Sequence, residues 1–252
     1  MAGYEEAFAR YYDALTADVD YRGHGALLKK IAERYGGKFR LVLDLACGTG
    51  SLSVVLSRLG AEVIGVDGSR EMLAQAMAKS GGSEDAAPPI LYLRQEMEEL
   101  DLYGTVDTAL CTLDSLNHLP GREALRRVFR RVRLFTEPGG LFIFDMNTPF
   151  KHKFILGDHT FVRETEGLYC VWQNTFIPRN SCVQIELDLF IRGRDGRYER
   201  SQEAFREVAY PTGAVCALLE EEGFQLLGLR GDYTNAQPGP EEQRILYIAR
   251  RR

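Results

Sequence analysis

Apolar side chains recur at helical spacing through Phe8, Tyr11, Tyr12 and Leu15, and again through Leu27, Leu28 and Ile31. Residues 4–35 are therefore expected to be helical, with a break near 18–25 and a stop at Gly36-Gly37. Residues 39–46 form a short apolar run with one acid inside it, as a strand buried on both faces does. A helix through Val54, Val55 and Leu59 then ends at Gly60, and a second strand covers 62–66. Ser69 can cap the next helix, and 80–89 is a polar loop. Strands at 90–93 and 106–111 follow, then a basic amphipathic helix over 121–135, a turn at Pro138-Gly-Gly and a fifth strand over 141–145. This alternation specifies a parallel sheet covered on both faces.

The rhythm changes after residue 150. Residues 160–208 hold four segments of period two, separated by turn signals at 178–180 and 193–196. They predict an inserted antiparallel meander rather than another strand–helix unit. A helix after Pro211 and two strands, 224–229 and 244–249, close the chain. The reading is one α/β domain over 1–252: a doubly wound sheet of five alternating strands and a closing pair, a helical cover over 1–35, and a β insertion over 150–208 placed as a lid.

The 252 residues include 31 Lys and Arg against 36 Asp and Glu, a formal charge of −5, and 45% are hydrophobic. That is enough apolar material for a sizeable core and excludes disorder as the main state. The acidic balance argues against a protein built to grip nucleic-acid phosphates. The N-terminus lacks a basic start followed by an apolar stretch, and no run reaches the roughly 18 apolar residues of a membrane span. A cytoplasmic protein is expected. Five cysteines without C-x-x-C and four histidines without H-E-x-x-H indicate neither a disulfide framework nor a metal site. Cys47 and Cys111 read as small packing residues.

The chemistry begins at Leu41-Val-Leu-Asp44-Leu-Ala46-Cys47-Gly48-Thr49-Gly50, where a strand reaches a glycine turn that opens a helix. Glycine there lets the backbone approach a ligand closely. The third glycine of the dinucleotide fingerprint is replaced by Ser53, and an acid stands four residues before the first glycine. Asp44 would repel a pyrophosphate and tolerate a ligand carrying a cationic amine and a sulfonium.

This stretch resembles the first motif of the class I S-adenosylmethionine-dependent methyltransferases, a Rossmann-like family with a seven-stranded sheet, and the resemblance continues in order along the chain. It implies that Asp67, 17 residues beyond Gly50, accepts hydrogen bonds from the ribose hydroxyls, with Gly68 and Met72 beside it. Glu96 and Met97 would read the adenine, although the family often has Asp where this chain has Glu96. Asp44, Ala46, Cys47, Gly48 and Gly50, with Tyr21, would hold the methionine end, and Cys111–Asp114 would face the methyl group. The implied activity is methyl transfer, with S-adenosylmethionine as cofactor and S-adenosylhomocysteine as product.

A narrower resemblance, to bacterial small-molecule methyltransferases related to N-methyltransferases of nucleotide-linked amino sugars, rests on Tyr4-x-x-x-Phe8-Ala9-x-x-Tyr12-Asp13, on Asp18-Val-Asp-Tyr21, and on Ser115-x-x-His118. It implies that Tyr12, Ser115 and His118 face the acceptor. His118 titrates near neutrality and is placed to take a proton from an ammonium or hydroxyl. The alternatives at this point are a satisfied, partly buried histidine and, for Tyr12 and Tyr21, core-facing helix residues.

The expected partner is a small-molecule acceptor methylated at N or O. No N-P-P-Y, D-P-P-Y or Pro-Cys follows the fourth strand, which lowers the readings of adenine, glutamine or cytosine-C5 methylation. Trp172, Phe176, Tyr198 and Phe205, with Arg163, Glu186, Arg206 and Tyr210, suit a lid over a small organic ligand; the alternatives are that these aromatics pack the meander onto the sheet or form a homodimer surface. Arg122, Arg126, Arg127, Arg130, Arg131 and Arg133 are expected on a solvated helix face, and Arg250–Arg252 at a solvated end. The rival readings are an RNA methyltransferase using the arginine-rich helix and a non-catalytic S-adenosylmethionine-binding protein.

Overall fold

A computed structural model describes residues 6–80, 88–234 and 236–252. The start of the expected first helix, including Tyr4, and residues 81–87 of the polar loop lie outside the described residues. Two helices, α1 (Glu6–Leu15) and α2 (Tyr21–Arg34), open the chain. The break between them is shorter than expected, because the Asp20 carboxylate accepts the Gly23 N–H at 2.9 Å and restarts the helix at Tyr21. The alternating region follows as β1 (Leu41–Leu45), α3 (Ser51–Arg58), β2 (Glu62–Asp67), α4 (Arg70–Ser80), β3 (Ile90–Arg94), β4 (Val106–Cys111), α5 (Arg122–Phe135) and β5 (Thr136–Asn147). Ser69 caps α4 as expected, its Oγ accepting the Met72 N–H at 3.2 Å. The insertion is β6 (Thr160–Thr165), β7 (Leu168–Ile177), β8 (Cys182–Arg192) and β9 (Tyr198–Val208), and α6 (Thr212–Glu221), β10 (Phe224–Gly231) and β11 (Arg244–Arg251) close the fold.

The main sheet has the order β10-β11-β5-β4-β1-β2-β3, with β1 to β5 parallel and β11 antiparallel between β5 and β10. Alternation along β1 sends Val42 to one face and Leu43 to the other. Val42 packs with Leu28, Ile31, Leu52 and Leu56 of α2 and α3, and Leu43 with Val128, Phe129, Phe142 and Phe144 beneath α5. The meander β6-β7-β8-β9 is a separate sheet. Its inner residues Leu168, Val183, Ile185, Leu187 and Leu189 pack on Phe8 and Ala9 of α1, so cover and insertion share a core of their own.

Three expectations change. Pro138-Gly139-Gly140 is not a turn before the fifth strand but a bulge inside β5: the register jumps from Val106↔Thr136 to Thr108↔Leu141, with Gly139 at φ 79°. The outer face of α5 is not simply solvated. Arg122, Arg126 and Arg130 pair with Glu221 and Glu222 at the end of α6, and Arg127 pairs with Glu98. Arg250 and Arg251 are not a loose end either: as half-buried residues of β11 they donate to the carbonyls of Tyr35 and Thr136. Among the described residues no helix is long and apolar enough to cross a membrane.

Candidate functional site

The parallel strands β1, β2 and β4 end at one edge, and the chain leaves each through an unusual turn. After β1, Ala46, Gly48 and Gly50 all have positive φ (58°, 55° and 72°). Asp67, at the end of β2, fastens that turn: its Oδ2 accepts the Gly48 N–H and its Oδ1 the Ser69 N–H, each at 2.8 Å. Burial raises the Asp67 carboxyl above the usual range and prevails over these two N–H groups, which pull it down.

Asp44 is buried and accepts a 2.5 Å hydrogen bond from Ser53. The serine in place of a third glycine thus supplies the hydroxyl that a buried acid needs. Burial, with the nearby Asp67 charge, pushes Asp44 up to about 7 against the pull of Ser53. Asp13 pins α1 over the turn by accepting from Thr49 at 2.6 Å and pairing with Lys79 at 2.7 Å.

Gly50 shows how tightly the turn is built. A Cβ there would lie 2.5 Å from the Tyr92 hydroxyl and 2.9 Å from the Ala76 Cβ, whereas one at Gly48 would meet nothing within 4 Å. Gly50→Ala is therefore expected to cost about 2–4 kcal/mol in urea unfolding, and Gly48→Ala only the strain of its backbone, about 1 kcal/mol. Equal costs would show that the turn relaxes freely.

Three cavities line this edge. The largest, about 570 Å³, is bounded by Asp67, Gly68, Ser69, Glu96, His118 and Leu119 below and by Gln184, Phe205 and Arg206 of the meander above. The second, about 310 Å³, lies between α1, the turn after β4 and the meander, with Phe8, Tyr12, Asp114, His118, Lys151, Trp172, Glu207 and Arg244 in its walls. A narrow space of about 30 Å³ lies against Asp44, Ala46, Cys47 and Gly48 and is bounded by Tyr12, Tyr21 and Ser115. His118 and Phe205 belong to the walls of both larger cavities.

Most of the residues singled out from sequence therefore meet along one edge. Met72, Met97 and Cys111 do not reach a cavity wall: they are 1%, 3% and 0% exposed, Met72 in the core shared by α1 and the meander, Met97 and Cys111 in the core beneath α5. Gly50 lines none of the three cavities and packs against Tyr92 and Ala76. Trp172, Phe205 and Arg163 line the second cavity, whereas Tyr198 is exposed and Tyr210 is tied to the Leu119 carbonyl at 3.0 Å. Burial, reinforced by Tyr21, Asp114 and Asp67, pushes the Tyr12 hydroxyl far above its ordinary value. Tyr12 therefore stays protonated at neutral pH.

The turn after β4 holds a constellation that sequence reasoning missed. Leu113 and Asp114 are consecutive non-glycine residues with positive φ, 55° and 54°. The fully buried Asp145, at the end of β5, accepts both of their N–H groups, at 2.8 and 2.6 Å, and the Tyr233 hydroxyl at 2.5 Å. Arg244 closes the cluster, 2.5 Å from Asp114 and 3.7 Å from Asp145. Burial works to raise Asp114, but Arg244, with Lys151 and His118, outweighs it and holds the carboxyl below its usual range. Asp145 stays raised, burial prevailing over Arg244. An acid inside the apolar run 141–145 was the available signal, of the same kind as Asp44 in β1.

Comparison with known proteins adds a relationship to this geometry. Residues 42–140 match the family described as a methyltransferase domain. The chain is 32% identical over 247 residues to a methyltransferase-family protein of Geobacillus sp. strain WCH70, covering 98% of this chain and 99% of that one. It superposes on the crystal structure of an S-adenosylmethionine-dependent methyltransferase from Clostridium acetobutylicum with a TM-score of 0.86 and 28% identity, over 97% of this chain and 98% of that one. A sugar N-methyltransferase from Streptoalloteichus has the same fold, with a TM-score of 0.74 at 23% identity over 96% of this chain and 92% of that one.

Proposed function

Because the chain belongs to the class I S-adenosylmethionine-dependent methyltransferases, we propose that its acceptor is a small-molecule amine seated in the 310 Å³ cavity and methylated on nitrogen. The observation that carries this reading is the position of His118 in the wall common to the two larger cavities. One of these cavities carries the acids expected for a nucleoside; the other has room for a second small ligand.

The residues present fit S-adenosylmethionine. The edge offers three carboxyl groups in succession, Asp44, Asp67 and Glu96, and a carboxylate accepts hydrogen bonds from hydroxyls, an amine or an ammonium. Each Asp67 oxygen accepts one backbone N–H and retains a lone pair for a ribose hydroxyl. Gly68 leaves room beside Asp67 for Glu96, whose Oε1 would lie 2.8 Å from a Cβ at that position, and Glu96 would take the adenine amine. Asp44, Tyr21 and the turn from Ala46 to Gly48 would hold the methionine end. Met72, Met97 and Cys111 support these walls from the core. When bound, the cofactor supplies an electrophilic methyl carbon on a sulfonium.

On the acceptor side, His118 takes the proton of an ammonium, leaving a nucleophilic nitrogen lone pair. Tyr12 donates a hydrogen bond and orients the acceptor. Glu207 gives the cavity a carboxylate that suits a cationic amine, Asp114 being paired with Arg244, while Phe8 and Trp172 exclude water. Nitrogen as the target is compatible with the fold shared with a sugar N-methyltransferase. Arg122, Arg126, Arg127 and Arg130 of α5, engaged with Glu98, Glu221 and Glu222, do not favour RNA.

His118→Ala is expected to lower kcat/KM for an amine acceptor about 100-fold while leaving donor affinity within about threefold. Full turnover across neutral pH in that variant would remove His118 from the mechanism.

Asp44 gives the site a pH dependence. Its carboxyl, raised to about 7, ionises as pH rises through neutrality and then pairs with the donor's ammonium. Affinity for S-adenosylhomocysteine, measured by calorimetry, should rise about tenfold between about pH 6 and 8, and Asp44→Asn should flatten that rise. The sign for stability is the reverse. The folded form binds this proton more tightly than the unfolded chain, so Asp44's contribution is complete below its ordinary value of 3.8 and is lost as pH rises through about 7.

A further inference from the structure

Glu207 is the charged residue of β9 that the fold buries: it is 4% exposed, while Glu199, Arg200 and Arg206 of the same strand are exposed. A buried carboxylate is costly unless it is held. Its Oε2 accepts from Asn147 Nδ2 at 3.1 Å and lies 3.3 Å from His152 Nε2. His152 is fully buried, and its Nδ1 lies 2.9 Å from the Ser181 carbonyl oxygen. A carbonyl only accepts, so Nδ1 carries the proton and Nε2 is the nitrogen turned to Glu207. The other carboxylate oxygen, Oε1, lies 3.9 Å from His118 Nε2.

The spacing between Glu207 and His118 is fixed by their neighbours in sequence. Asn117, just before His118, donates to the carbonyls of Val208 at 2.9 Å and Asn147 at 3.1 Å, and accepts the Asn147 N–H at 2.9 Å. Asn117 and Asn147 are buried. The turn carrying His118 is thus fastened at once to β5 and to β9, one residue from Glu207.

We propose that Glu207 is a positioning residue for His118: a carboxylate held from behind by Asn147 that faces the imidazole across 3.9 Å and stabilises its protonated form. The inference rests on the reading of His118 as the acceptor's base. In that step the N–H bond of the acceptor ammonium breaks, its electron pair stays on nitrogen, and the proton binds His118 Nε2. The positive charge then lies against Glu207 Oε1, and the proton returns to solvent after turnover. Asp67 and Asp114 also face His118, from the end of β2 and from the turn after β4, and Glu96, Glu203 and Arg206 share the larger cavity with it. Lys151 and Arg244 lie beyond Asp114, and His152 lies behind Glu207. All of these are retained when Glu207 alone is changed, so the variant isolates its effect.

The test is an NMR titration of the His118 ring in the full-length protein. The chain has four histidines, so the signal is assigned by its loss in His118→Gln. In Glu207→Gln the His118 midpoint is expected to fall by about half a pH unit or more, and the acid limb of kcat/KM to move the same way. Glu207→Asp, which keeps the charge but shortens the reach, should show a smaller shift and restore part of the turnover. A His118 midpoint within about 0.2 units of native in Glu207→Gln overturns the proposal whatever the activity. If Glu207→Gln does not fold, Glu207→Asp decides: a downward shift supports the proposal and an unchanged midpoint overturns it. His118→Ala retaining turnover while Glu207→Gln still shifts the midpoint would refute the role of His118 as base and leave its coupling to Glu207 standing.

Discussion

Asp67→Ala is expected to weaken S-adenosylhomocysteine binding at least 100-fold, about 2.7 kcal/mol. Three losses combine. The Gly48 and Ser69 N–H groups lose an acceptor that lies 2.8 Å from each. The turn carrying the positive-φ residues Ala46 and Gly48 loses the bond that ties it to β2. The ribose hydroxyls lose their proposed partner, and hydrogen bonds to a charged group are worth about 1.5–3 kcal/mol. Asp67→Asn keeps one acceptor oxygen and should fall between, near tenfold. Calorimetric titration separates the three proteins, and affinity within threefold of native in Asp67→Ala would contradict this account of the nucleoside site.

Asp145→Ala is expected to have the largest effect on stability, about 3–5 kcal/mol in urea unfolding. The change leaves two backbone N–H groups and the Tyr233 hydroxyl without their acceptor and removes the carboxylate that lies 3.7 Å from the Arg244 guanidinium. It also removes the carboxylate that receives both N–H groups of Leu113 and Asp114 and so helps to hold them in the left-handed region. Since Asp114 and His118 lie on this turn and line the proposed acceptor cavity, turnover should fall further than donor affinity does. Asp145→Asn preserves an acceptor but not the charge facing Arg244, and should be intermediate. A cost below about 1 kcal/mol for Asp145→Ala would mean that the turn is held by packing alone.

The contrast between these two aspartates shows what a single sequence carries. Asp67 could be found because the resemblance places it, at the end of a strand 17 residues beyond Gly50, and its partners Gly48 and Ser69 lie in the motif and in the cap that follows. Asp145 is as buried as any acid in the chain, but its partners Leu113, Tyr233 and Arg244 lie 32, 88 and 99 positions away in sequence, and only the sheet order brings β4, β5 and β11 together. The same reason hid Glu207. In an alternating strand such as β9 a glutamate reads as solvent-facing, and nothing local says that Asn147 and His152 wait behind it.

Strand identities were legible because β1 and β4 are nearly continuous apolar runs, and the meander because its alternation is regular over four segments. Side-chain orientation was less so. Met72, Met97 and Cys111 stand at motif positions yet point into the core, since neighbours on a motif need not share a face. The α5 arginines read as solvated because pairing with Glu221 and Glu222 depends on how α6 returns beside them.

The most direct test of the central claim follows the methyl group itself. Native protein is incubated with S-adenosylmethionine labelled in the methyl carbon and a panel of small amines, hydroxy compounds and carboxylates, together with RNA. The account predicts label on the nitrogen of a small amine, stoichiometric release of S-adenosylhomocysteine, and loss of transfer in His118→Ala with donor binding retained. Label recovered only in RNA or on oxygen, or transfer that survives His118→Ala, would contradict it.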